Sequence, residues 1–230
     1  MKNLVLYLTI NYPTQQTFFE ILDVIEEFQI GYVEIGIPVS DPYLDGSVVR
    51  KSQEKVISDL SAEKIAAVLS EIRERYSFKT ILMTYYEGVK HFKLEKLSRR
   101  LYDAILCVDK NLAGDNYPGF VHTFSQDMDQ GLIVSQLSQS SQFIYLVSGE
   151  GKTGEFNQLP EEYTKILPYV KKKTDLPIFV GFGVKNQQDI ARLLANGADG
   201  AIIGSEFIKQ FNEGGISGIR EYLTDIQAVF

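Results

Sequence analysis

The stretch from Ile178 to Ser205 reads IFVGFGVKNQQDIARLLANGADGAIIGS, and its order decides the fold. Ile178-Phe179-Val180 is a short apolar run with the composition of a buried strand, and Gly181-Phe182-Gly183 punctuates its end. Asn186 is a capping residue for a helix over Gln188 to Ala195. Gly200-Ala201-Ile202-Ile203 then resumes the strand pattern, closed by Gly204-Ser205. Strand, helix and strand in so short a span make one parallel βαβ unit, because parallel neighbours need a crossover between them.

The same alternation runs back to the start of the chain. Leu4 to Ile10 is a first strand, and its apolar run is too poorly flanked for a signal peptide. Thr14 caps a helix whose apolar face is Phe18, Phe19, Ile21, Leu22, Val24, Ile25 and Phe28. Gly31 to Ile35 is strand two. Ser61, with Glu63 and Lys64 behind it, opens a helix through Ile65, Val68, Leu69 and Ile72, and Lys79 to Thr84 is strand three. A helix near Phe92 to Leu101 leads to strand four, Asp103 to Val108. Strand five is Phe120 to Phe124, followed by a helix over roughly Asp127 to Ser140. Strand six is Phe143 to Val147, and a helix from about Glu161 to Lys172 precedes the quoted unit. Eight strands with intervening helices predict a (β/α)8 TIM barrel occupying 1–230 as one domain, with its active site at the C-terminal strand ends. Between strands four and five only Asp109 to Gly119 remain, which predicts a reduced or missing helix.

Composition narrows the function classes. The chain has 230 residues, 44% hydrophobic and 23% charged, with a formal charge of −7. That balance and the lack of a Lys/Arg-rich block argue against nucleic acid or an anionic membrane as the main partner. No apolar run approaches the ~20 residues needed to span a bilayer. One cysteine, Cys107, cannot form an internal disulfide and fits a reducing cytoplasm. His91 and His122 sit in no motif and have no metal-ligand spacing, so no metal site is expected.

Two carboxylates stand out in Val33-Glu34-Ile35-Gly36-Ile37-Pro38-Val39-Ser40-Asp41-Pro42-Tyr43-Leu44-Asp45-Gly46. Glu34 ends a buried strand with nothing polar beside it, while Asp45 rides the Pro- and Gly-rich loop that follows. An acid in an apolar setting and an acid in a wet loop differ in pKa, which suits them to different parts of a proton transfer. Gly181-Phe182-Gly183 and Gly204-Ser205 close adjacent strands just before helical sequence, where backbone N–H groups can approach a phosphate. After strand six, Ser148-Gly149-Glu150-Gly151-Lys152-Thr153-Gly154 has the glycine content of a mobile lid, with Thr153 able to reach the Asp45 loop. Its Gly-Lys-Thr is not a P-loop, because the required upstream glycine position holds Leu146.

Taken together, the Glu34-to-Gly46 motif, the lid Gly151-x-Thr153-Gly154, Gly181-Phe-Gly183 and Gly197-Ala-Asp-Gly-Ala-Ile-Ile-Gly204-Ser205 resemble the tryptophan synthase α subunit family, in order and strand-end placement, from about Leu4 to Lys209. The first motif is the specific one; glycine turns are shared among phosphate-binding barrels. The resemblance implies a lyase of tryptophan biosynthesis that cleaves indole-3-glycerol phosphate to indole and glyceraldehyde 3-phosphate by a retro-aldol reaction. It implies no cofactor in this chain, and a β subunit carrying pyridoxal phosphate as partner in an α2β2 heterotetramer. Glu34 would be the acid/base and Asp45 the partner of the indole N–H. Tyr7, Leu82, Tyr145 and Phe182 would face the ring, and Thr153, on the lid, would be a further substrate-binding residue. Gly154, Gly183, Gly204 and Ser205 would hold the phosphate, and Pro38, Asp41 and Pro42 would meet the β subunit.

This chain departs from the family in several places. It begins almost at strand one, without the family's N-terminal helix. Met83-Thr84-Tyr85-Tyr86 stands where Met-Tyr-Ala-Asn is usual, and Gly149-Glu150 where Arg-Ser is usual. Two alternatives to an active lyase therefore stand beside it: a degenerate α subunit acting only as an allosteric partner, and a phosphate-binding barrel enzyme with a changed substrate.

Overall fold

The computed structural model describes residues 1–149, 151 and 158–230. Eight parallel strands, β1 (Leu4–Thr9), β2 (Tyr32–Gly36), β3 (Lys79–Thr84), β4 (Ala104–Cys107), β5 (Thr123–Phe124), β6 (Ile144–Val147), β7 (Ile178–Gly181) and β8 (Gly200–Ile203), lie in the order β4-β3-β2-β1-β8-β7-β6-β5. The two ends meet through one residue. Phe120 forms parallel bridges to Ile105 and to Ser140. Around it the Ile105 N–H donates to Gly119 O at 3.0 Å, the Val121 N–H to Ile105 O at 3.0 Å, and the Ser141 N–H to Phe120 O at 2.8 Å. The expected (β/α)8 barrel is thereby closed.

Strands buried on both faces send alternate side chains inward and outward. On β1, Leu4, Leu6 and Leu8 face out and join the helix layer in the main core, together with Phe18, Ile21, Ile65 and Leu69. Val5 faces in and packs with Ile81, Phe143, Phe179 and Ile202. The barrel floor is an aromatic plug in which Tyr32 meets Phe143 at 5.2 Å and Phe179 at 5.5 Å, centroid to centroid. Each buried ring of this kind contributes on the order of 2–3 kcal/mol of transfer free energy.

The outer layer comprises α1 (Gln15–Glu27), α2 (Ser47–Val56), α3 (Ala62–Arg75), α4 (Tyr86–His91), α5 (Gln130–Leu137), α6 (Tyr163–Lys171), α7 (Gln187–Ala195) and α8 (Ser205–Gln227). The capping residues read from sequence do cap: Thr14 accepts from the Thr17 N–H, Ser61 from the Lys64 N–H and Asn186 from the Asp189 N–H. Gly215, at φ 60° and ψ −149°, divides α8 into a short first part at the barrel mouth and a longer second part.

Two expectations need correction, and one helix lies where none was expected. The helix expected over Phe92 to Leu101 is displaced: α4 lies earlier, and only a 3-10 turn, Leu94–Lys96, follows it. Lys93 adopts a left-handed conformation (φ 53°) that interrupts the helical path, while Phe92 and Leu94 turn into the core. Strand five is pared to Thr123–Phe124, because Phe120 pairs as an isolated bridge. Helix α2 was not anticipated at all. As expected, no helix joins β4 to β5 among the described residues.

Candidate active site

Period two on β2 decides the orientation of Glu34. Val33 and Ile35 belong to the outer core, so the residue between them points into the barrel. It stands in register with Tyr7 of β1 and Ile81 of β3. Glu34 is 1% exposed, and among the described residues nothing hydrogen-bonds its Oε1. Removal from water penalises the charged form, and burial pushes the Glu34 carboxyl up to about 8.

Asp45 reaches the same cleft from the loop between β2 and α2. Its Oδ2 accepts from the Tyr85 hydroxyl at 3.1 Å and from Gln53 Nε2 at 3.1 Å. Burial raises the Asp45 carboxyl to about 6, against the opposing pull of these two donors and of the Arg50 charge. At neutral pH one acid of the pair is therefore mainly protonated and the other mainly ionised, which is the division of labour that acid–base chemistry on one substrate requires.

Tyr7, Met83, Tyr145, Phe182 and Ile202 supply the apolar walls. The Tyr145 and Phe182 rings meet edge to face at 6.0 Å. The Tyr7 hydroxyl lies 3.2 Å from Thr9 Oγ1, which is 2.6 Å from Ser52 Oγ, and Ser52 donates to Val49 O at 2.7 Å. Burial, followed by the nearby acids, pushes the Tyr145 phenol well up, so it stays neutral.

The far end of the cleft is made of Gly183, Gly204 and Ser205, with Lys185 beside them. Phe182 and Gly183 take positive φ, 74° and 81°, so the chain reverses sharply at the end of β7. Ser205 begins α8, whose N-terminal backbone offers unpaired N–H groups and a positive partial charge to an anion. The Ser148 hydroxyl donates to the Phe182 carbonyl, tying the root of the β6 loop to this turn.

Eight of the eleven expected catalytic and substrate-binding residues line this cleft: Glu34, Asp45, Tyr7, Tyr145, Phe182, Gly183, Gly204 and Ser205. Leu82 does not. It is fully buried in the outer core, and its neighbour Met83 lines the cleft instead, a consequence of strand alternation. Thr153, Gly154 and most of the expected lid lie outside the described residues. Asp41 is exposed and pairs with Arg50 at 3.3 Å, whereas Pro38 and Pro42 are buried. Sequence reading missed Gln53, whose helix carries no broad apolar stripe. It flagged Tyr85 only as a departure in the pocket wall. Among the described residues no group of acids, histidines or cysteine could hold a metal ion.

The family profile described as tryptophan synthase alpha chain matches residues 1–109 and 120–228, interrupted where β4 passes to β5 without a helix. The tryptophan synthase alpha chain of Archaeoglobus fulgidus is 28% identical over 228 residues, covering 93% of this chain and 91% of that protein. That of Thermococcus kodakarensis is 31% identical, covering 90% and 88%. Among solved structures, the tryptophan synthase a2b2 complex from Pyrococcus furiosus, described in terms of mutual activation, superposes with a TM-score of 0.85. It is 25% identical to this chain, with 99% of this chain and 98% of that chain covered.

Proposed function

The chain belongs to the tryptophan synthase alpha chain family, and from that premise we propose how its cleft performs the alpha reaction, cleavage of indole-3-glycerol phosphate to indole and glyceraldehyde 3-phosphate. The observation that carries the reading is the split between Glu34 and Asp45: two carboxylates in one apolar-walled cleft, at about 8 and about 6.

Cleaving the carbon–carbon bond requires the indole ring to become an electron sink. Protonated Glu34 gives a proton to indole C3, and ionised Asp45 accepts a hydrogen bond from the indole N–H, stabilising the positive charge that develops on nitrogen. The carboxylate left on Glu34 then takes the proton of the glycerol hydroxyl as the bond to C3 breaks. Its electron pair returns to the ring, the aldehyde forms, and Glu34 is protonated again. One proton in and one out leaves the enzyme unchanged. Tyr7, Met83, Tyr145 and Phe182 enclose the ring, while Gly183, Gly204, Ser205 and the α8 N-terminus receive the phosphate. An allosteric subunit without chemistry would have no use for a fully desolvated Glu34.

The partner is a tryptophan synthase β subunit. We assign the contact to the outer face of the β2–α2 loop, where Asp41, Tyr43 and Leu44 are exposed and Pro38 and Pro42 shape the loop from beneath. Tyr43 and Leu44 are two of the few large exposed apolar side chains among the described residues, and they adjoin Asp45. No helix among the described residues is long and apolar enough to cross a membrane. The family's biosynthetic role and the unpaired Cys107 support a cytoplasmic setting, and we take the chain as one barrel domain.

The test is direct: purified protein is given indole-3-glycerol phosphate, with and without a β subunit, and indole is followed by mass spectrometry. Indole release is expected in both, faster with the partner. No indole under either condition overturns the assignment.

A further inference from the structure

Gln53 is 3% exposed, and both ends of its carboxamide are used. Oε1 accepts the Val39 N–H at 3.1 Å, and Nε2 donates to Asp45 Oδ2 at 3.1 Å. The amide orientation follows from its partners, since a backbone N–H can only donate and an ionised carboxylate can only accept. Val39 lies near the start of the β2–α2 loop and Asp45 near its end, so one side chain on α2 clasps the loop at two points. Helix α2 is itself anchored, because the adjacent Ser52 bonds to Thr9 on β1 at 2.6 Å. Asp45 Oδ2 also accepts from the Tyr85 hydroxyl, whose oxygen in turn accepts the Leu44 N–H at 3.1 Å.

We propose that Gln53 is a positioning residue for this reaction: by joining the Val39 N–H to Asp45 Oδ2 it fixes where the Asp45 carboxylate sits and keeps it ionised. The proposal rests on the reading of Asp45 as the indole N–H partner. Two features separate it from ordinary packing. A buried glutamine with both amide ends paired is a poor choice for filling space, because an apolar side chain would avoid the desolvation of the amide. Asp45 is also otherwise surrounded by groups that do little to hold its charge. Glu34 faces the cleft from β2, Tyr7 from β1 and Tyr145 from β6, and Lys185 lines its far end beside the glycine turns, leaving Tyr85, Gln53 and the Arg50 charge as the groups that favour the ionised Asp45.

The experiment uses full-length protein with 13C-labelled aspartate carboxyls, the Asp45 signal assigned by its absence in Asp45→Asn, and NMR titration from about pH 4 to about pH 9. Gln53→Glu keeps the acceptor for Val39 and replaces the donor with a second acid; Gln53→Met keeps the volume and removes both polar atoms. Asp45 should titrate at least ~1 pH unit higher in Gln53→Glu, and higher than wild type in Gln53→Met. Where wild type releases indole, the acid limb of its rate profile should move with the NMR midpoint, and Gln53→Met should lower kcat ~10-fold with KM within ~3-fold. Folded variants whose Asp45 titrates as in wild type overturn the proposal. Loss of fold in both variants, read by circular dichroism, places Gln53 in the scaffold and overturns it too. A wild type that releases no indole defeats the functional reading alone, because the NMR midpoints still decide the role of Gln53.

Discussion

A Cβ added to Gly181 would stand 2.6 Å from the Tyr145 hydroxyl, so the Tyr145 ring, rising from β6, occupies the space that any larger residue at the end of β7 would claim. Tyr7 stands in the same relation to Gly36, across β1 and β2. Two glycines thus let two rings lie across the barrel mouth as cleft walls. Gly181→Ala and Gly36→Ala should displace those rings, raising KM ~10-fold and costing ~1–3 kcal/mol of stability through overpacking. Steady-state kinetics and denaturant unfolding check both, and wild-type KM in both variants would show that the rings do not shape the substrate site.

Glu34→Gln should lower kcat by ~10²–10⁴-fold with little change in KM, since the amide keeps the shape and cannot exchange a proton. Indole release in single-turnover assays measures it. Activity within a few-fold of wild type would remove Glu34 from the chemistry.

The same side chain links stability to pH. A carboxyl raised in the folded state binds its proton more tightly there than in the unfolded chain. Its contribution is full below the unfolded pKa of 4.5 and is lost as pH rises to about 8. Over that window Glu34 should remove up to about 1.4 kcal/mol per pH unit, and Asp45 should act likewise between 3.8 and about 6. Urea unfolding at several pH values should show a falling stability that Glu34→Gln flattens at its upper end. Equal slopes in the two proteins would refute the raised carboxyl.

Activity should be bell-shaped in pH. Asp45 must be ionised and Glu34 protonated, so kcat/KM should fall below about 6 and above about 8. Asp45→Asn should lower the rate strongly and abolish the acid limb, leaving the alkaline one. An acid limb that persists in Asp45→Asn belongs to some other group.

Gly183→Val should weaken phosphate recognition most directly, because a φ of 81° strains a β-branched residue and would reshape the turn. KM should rise ~10-fold or more with a smaller fall in kcat, and inorganic phosphate should lose its competition with substrate. Unchanged affinity would move the phosphate site elsewhere.

Coupling to the β subunit should run through the outer face of the Asp45 loop. A cognate β subunit is expected to raise the rate at least ~10-fold, a coupling of ~1.4 kcal/mol. Asp41→Ala and Leu44→Ala should reduce that activation and spare the basal rate. The Asp41–Arg50 pair is too exposed for its loss to destabilise the fold measurably. Titration of each variant with β subunit, reading indole release, gives the comparison.

What could be read from sequence followed the physics that local patterns express. Strand β8 emerges with its ends because its apolar run lies between Gly200 and Gly204, β3 with its start at the charged Lys79, and Thr14, Ser61 and Asn186 announce their helices through a side chain that caps the next turn. The Glu34-to-Gly46 motif was legible because its acids differ visibly in setting. Helix α2 was not, because two of its buried residues are Ser52 and Gln53, polar side chains whose partners come from β1 and the Asp45 loop. Hydrophobic periodicity cannot register a helix face that packs by hydrogen bonding. Leu82, expected at the ring from the family resemblance, and Met83, which lines the cleft, are one residue apart on β3 and so lie on opposite faces, which the pairing of β3 with β2 and β4 fixes.

The closure through Phe120 gives the barrel a preferred place to come apart. Seven of its junctions are ladders between neighbouring strands, while the eighth is stitched by single bridges on either side of one residue and is not backed by a crossover helix. Amide protons of Ile105, Val121 and Ser141 should therefore exchange with solvent deuterium sooner than those at the centre of β1, through openings far smaller than global unfolding. The wall would unzip there first, into a curved ribbon that still carries Glu34 and Asp45 together on one half and the glycine turns on the other.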